Sequence, residues 1–73
     1  MPIIRSNPEK IINAIGKSTN TEIKILLYIY SREEMSGIVT PEQVISNLKS
    51  EIPEAELRKT LKDLIKREMV IEG

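Results

Sequence analysis

The sequence predicts a mostly α-helical domain with a minimal two-stranded sheet and an extra N-terminal helix. Four segments carry apolar residues at helical spacing, each opened by a residue that caps or starts a helix. Two brief apolar runs, 38–39 and 69–72, flank the last two of these segments and are long enough only for short strands. The chain has 73 residues and no cysteine. One small hydrophobic core must therefore form without disulfides, and residues 1–73 read as a single domain.

Met1 to Arg5 is an apolar, extended start containing Ile3 and Ile4. The first helix is expected over 7–16. Asn7 can cap it, Pro8 suits its first position, Glu9 complements its dipole and Gly16 stops it. Ile11, Ile12 and Ile15 form a narrow apolar stripe, and a helix this short needs a surface to dock on. The second helix is expected over 20–33, with Thr19 and Glu22 at capping-box spacing. Ile23, Leu26, Leu27 and Tyr30 share one face, while Ile25 and Ile29, with Tyr28 close by, lie on another. A helix apolar most of the way round reads as the central one, covered on two sides. The isoleucine helix is the expected second cover, from the same chain or from a partner.

The third helix is expected over 40–49. Thr40 is its cap, Pro41 its first residue, and Gln43 stands three residues after the cap. Val44, Ile45 and Leu48 face the core. Lys49-Ser50-Glu51 is the turn, Ile52 an apolar anchor, and Pro53 opens the last helix, 53–68. The short strands 38–39 and 69–72 are expected to pair with each other.

The last helix sorts its charges. At about 100° per residue, Leu57, Leu61, Leu64 and Ile65 form a single core face. Ala55, Arg58, Lys59, Lys62 and Lys66 form a second face with no acidic residue. Glu56, Asp63 and Arg67 cluster on the back.

Composition excludes most chemistry. There is no histidine, and Asp63 is the only aspartate. The usual zinc ligands, Ser-His and Cys-His nucleophile pairs and the commonest general base are all missing. Glycines 16, 37 and 73 are too scattered to cradle a phosphate. Glu33-Glu34 and Glu51, Glu54 and Glu56 read as solvated or helix-start carboxylates. The expectation is a binding module with no catalytic residue, metal, cofactor or small-molecule ligand. No run approaches a membrane span and no signal-peptide pattern opens the chain, so a soluble, cytoplasmic protein is expected. Thirteen isoleucines with abundant Lys and Glu would suit a thermophile or an AT-rich genome.

The run Thr40-Pro41-Glu42-Gln43-Val44-Ile45, followed by Leu57-Arg58-Lys59-Thr60-Leu61-Lys62-Asp63-Leu64-Ile65-Lys66-Arg67-Glu68-Met69-Val70, resembles the winged-helix branch of the helix-turn-helix family. The resemblance covers Asn20 to Glu72 and lies in apolar spacing and turn chemistry. It implies that the last helix enters the major groove of double-stranded DNA, in transcriptional regulation or replication. Ala55, Arg58, Lys59 and Lys62 match its groove-facing positions, Lys66 extends that basic face, and the Thr40 cap would offer backbone N–H groups to a phosphate. Tyr28 and Tyr30 read as core or interface residues, not as base-stacking platforms.

The chain departs from the family pattern at three points. Glu54 and Glu56 stand at the leading end of the last helix. Glu68 replaces the glycine common after it. Gly73 follows the first strand of a would-be wing, so either a longer protein or a wingless version is expected. With 11 basic and 11 acidic residues the net charge is zero, which favours the alternative of a winged-helix protein-interaction module in a larger assembly. Ile3, Ile4, Ile11, Ile12, Ile15, Ile25 and Ile29 either complete the core or form a protein interface, such as a twofold homodimer or contact with a larger partner.

Overall fold

The computed structural model of the protein describes residues 3–73. Met1 and Pro2 of the expected extended start lie outside the described residues. The order of elements is β1 (Ile4–Ser6), α1 (Pro8–Ala14), a 3-10 turn (Ile15–Lys17), α2 (Asn20–Ser36), α3 (Pro41–Leu48), α4 (Glu54–Lys66) and β2 (Val70–Glu72). This is a small, mostly helical domain with a two-stranded antiparallel sheet made by its N- and C-terminal strands.

Both expected capping boxes form. Thr19 accepts from the Glu22 N–H while the Thr19 N–H donates to Glu22, and Thr40 and Gln43 do the same for α3. Each pairing satisfies two N-terminal donors that would otherwise lack partners. Asn7 stands at the cap position of α1, but its side chain makes no capping bond. Its side chain instead donates to the Glu68 carbonyl at 2.9 Å, and its N–H bonds the Met69 carbonyl. Gly16 is not a left-handed stop either, because α1 tightens into a 3-10 turn that runs through it. Gly37, at φ 76°, ends α2 three residues beyond the expected boundary, donating back to the Arg32 and Glu33 carbonyls. That left-handed conformation has no Cβ penalty in glycine. Pro53 precedes α4 as its cap, and α4 ends at Lys66.

The core takes one stripe from each long helix: Ile25, Leu26 and Ile29 of α2, Val44, Ile45 and Leu48 of α3, and Leu57, Leu61 and Leu64 of α4. Ile4, Val39, Ile52, Met69 and Val70 close it from the sheet and the turns. Of the seven isoleucines read as completing the core or forming an interface, Ile4, Ile25 and Ile29 belong to the core and are unavailable to a partner. Ile11 is half-buried, while Ile3, Ile12 and Ile15 are exposed. Nor is α2 covered on both sides. No residue of α1 is buried, and Leu27 and Tyr30 of α2 stay exposed. A seven-residue helix has too short a stripe to seal that face.

The strands expected to pair, 38–39 and 69–72, do not meet. β1 runs between them: Ile4 bridges Val39 on one side, through an N–H···O bond of 2.8 Å, and pairs with Glu72 on the other. Inward-pointing Ile4 and Ser6 explain the preference, since a three-residue strand buries two side chains where the 38–39 run buries only Val39. Ser6 is held by Glu33 of α2, which accepts from both its N–H and its hydroxyl.

α4 closes in a Schellman motif. The Met69 N–H donates to the Leu64 carbonyl, the Glu68 N–H donates to the Ile65 carbonyl, and Met69 and Leu64 are both buried. The residue between, Glu68, adopts φ 63°, a conformation that costs an L-residue about 1–2 kcal/mol. Replacing Glu68 with Gly should stabilise the domain by about 1 kcal/mol, since glycine recovers most of that strain. A thermal melt should then rise by about 4–8 °C. An unchanged or lower midpoint would mean that the turn is not strained.

Candidate nucleic-acid interface

α4 lies against α2, α3 and β2, which leaves its basic face open. Lys59, Lys62 and Lys66 are exposed and form no ion pair among the described residues. They line one side of a shallow groove of about 730 Å³, whose opposite wall is the N-terminal turn of α2 at Thr19 and Thr21. The three lysines therefore act as one surface, placed together because positions 59, 62 and 66 recur at helical spacing.

Arg58 points elsewhere. Its Nε bonds Glu54 Oε2 at 2.9 Å, one turn back along α4, and both side chains are more than half exposed. Such a pair adds little to stability. It does occupy part of the guanidinium that a base edge would need. Ala55 is exposed beside it, between Glu54 and Glu56.

Thr40, expected to offer a phosphate cradle, is engaged in its own capping box. Its hydroxyl accepts the Gln43 N–H, its own N–H goes to the Gln43 side chain, and Pro41 has no N–H to offer. The capping box that stabilises α3 engages two of the donors a phosphate would bind and leaves the Glu42 N–H without a partner among the described residues.

The acidic back of α4 is not a free surface. Glu56 accepts from the Thr21 hydroxyl at 2.7 Å, and Arg67 bonds both Asp63, at 3.0 Å, and Glu22 of α2. This polar seam clamps the end of α2 to α4, and it brings Glu56 and Asp63 to the same groove as the lysines. Thr19, Thr21 and the Glu22–Arg67 contact were not legible as site residues. Their partners lie up to 45 residues away, beyond any local pattern.

Glu22 is 8 % exposed. Its carboxyl is held below the ordinary carboxylate range, first by the Thr19 N–H it accepts, against an opposing push from burial, and further by the Arg67 charge. As pH falls, the unfolded chain therefore takes up this proton before the folded one does. The stability Glu22 contributes is complete above its unfolded pKa of about 4.3 and is lost as pH falls through the lower folded value. Acid titration of unfolding free energy should show this loss below about pH 4.5, and Glu22→Gln should make the acid limb shallower. An identical acid limb in the variant would remove Glu22 from that account.

No group of three or more His, Cys, Asp or Glu side chains able to hold a metal ion occurs among the described residues, and no helix is long and apolar enough to cross a membrane. Comparison with protein-family models, with curated proteins and with solved structures gives no match to this chain.

Proposed function

We propose that this protein is a DNA-binding domain of winged-helix character, acting in transcriptional regulation or replication through the Lys59, Lys62 and Lys66 face of α4. The observation that supports this most is the unpaired state of these three lysines on one exposed face, in a chain whose net charge is zero. Lysines without protein partners are free to displace the counterions of a phosphate backbone, the main source of sequence-independent affinity. Base reading, if it occurs, falls to Ala55 and Arg58 near the leading end of α4, with Arg58 released from Glu54. The inner edge of β2 is taken by β1, so a returning wing strand would have only the outer edge to pair with.

Salt titration of binding to a generic duplex tests this reading. Three phosphate contacts predict that log K falls with log salt at a slope of about −2.7. No binding at low salt and at protein concentrations well above roughly 10⁻⁴ M, the weak end of non-specific affinity, would sink it.

One observation favours a second reading, a winged-helix protein-interaction module in a larger assembly. Glu56 and Asp63 face the same groove as the lysines. A surface of mixed sign suits a protein partner better than a polyanion. Such a module would keep its partner when the lysines are neutralised and lose it through an apolar change.

A further inference from the structure

Beside the core face of α2, and sharing Leu26 with it, a second groove of about 360 Å³ runs between α2 and the α1 segment. Ile11, Ile15, Ile23 and Leu26 lie along it, with Leu27 and Tyr30 on the α2 side and Ile12 on the α1 side. Ile12 is 73 % exposed, Leu27 62 %, Tyr30 53 % and Ile15 42 %. Together these four side chains leave on the order of 450 Å² open to water, within the range of apolar patches that mark interaction sites.

We propose that this groove is a twofold self-association surface, filled by a second copy of the chain with the two α2 helices antiparallel. The patch carries both protruding side chains and a hollow, as an isologous contact requires of a single surface. Leu27 and Tyr30 supply the knobs, and the cleft along Ile11, Ile15 and Ile23 supplies the hole.

The charges on α2 fit the same symmetry. Lys24, Leu27, Tyr30, Ser31 and Glu34 are all exposed and fall within a stripe of about 120° at helical spacing. Lys24 and Glu34 have no ion-pair partner among the described residues. The midpoint between them falls between Leu27 and Tyr30. A single twofold axis crossing α2 there sets each Lys24 beside the partner's Glu34 and each Leu27 beside the partner's Tyr30. A parallel pair would instead oppose like charges.

Area agrees with this occupant. The four open side chains supply roughly half of the ~800 Å² that each partner of a standard interface buries, and the flanking polar residues can complete it. Docking would also cover α1, which buries none of its residues within one copy. This pairing stands apart from the DNA reading, because α4 contributes nothing to it.

Solution mass across a concentration series tests the proposal, on the intact chain. The wild type should move from 8.3 kDa toward twice that mass as concentration rises. Leu27→Lys should remain at the monomer mass with unchanged helical circular dichroism, since the side chain lies outside the core. Lys24→Glu and Glu34→Lys should each weaken the dimer about tenfold, and the double charge reversal should restore it. A wild type that stays monomeric at about 1 mM, the weak end of specific association, would overturn the proposal and leave the groove to a different protein. So would a dimer that survives Leu27→Lys. Failure of the double reversal to restore association would overturn the antiparallel register.

Discussion

Alanine at both Lys59 and Lys62 should lower duplex affinity on the order of 50-fold at 0.1 M salt, enough to abolish detectable binding by a weak monomer. Each lost phosphate contact removes about 0.9 from the salt slope, so the slope should become shallower by about 1.8. The fold should not suffer, because both side chains are exposed and unpaired and alanine is the best helix former. Arg58→Ala should do less to this non-specific affinity, since its guanidinium already serves Glu54. Electrophoretic or fluorescence binding curves at several salt concentrations read both quantities. If the double variant binds as the wild type does, α4 is not the nucleic-acid surface.

Ile29→Ala should be the most damaging single change to the fold. Ile29 is completely buried on the core side of α2, and truncating such a side chain costs about 2–5 kcal/mol, part lost transfer and part residual cavity. A domain of this length has a total stability of about 4–11 kcal/mol, so the variant should melt at least 10 °C lower or be partly unfolded at 25 °C. Urea and thermal unfolding measure it. Ile12→Ala, at a side chain 73 % exposed, should stay within about 0.5 kcal/mol when the protein is dilute enough to be monomeric. Equal losses at the two positions would contradict the assignment of Ile29 to the core and Ile12 to the surface.

That contrast also measures what the sequence could convey. Ile12 and Ile29 are the same residue type in helices with similar apolar density, and periodicity alone left both as core or interface residues. Which isoleucine is buried depends on the helix opposite it. α4 contributes Leu57, Leu61 and Leu64 against the Ile25–Ile29 side, whereas α1 is too short to seal the Tyr30 side. The candidate site divides in the same way. The basic face of α4 was legible, because side chains three and four apart share a face of any helix. The diversion of Arg58 to Glu54 and the arrival of Glu56 and Asp63 at the lysine groove were not. Thr40 was read correctly as a cap. The same hydrogen bonds that make it one engage two of the donors a phosphate would use.

By itself the sequence determined the local structure: four helices, both capping boxes, the core face of α4 and the helix-start role of Pro41. Each depends on residues within about four positions, where helical geometry leaves little choice. Only the tertiary structure decided the order of the sheet, the anchoring of Ser6 by Glu33, the Glu22–Arg67 clamp and the open groove along α1. The sheet pairs and the two clamps join residues 27 to 68 positions apart, and the groove sets α1 against α2 across the turn between them. Their formation rests on how the helices pack, and nothing in the neighbouring sequence encodes it.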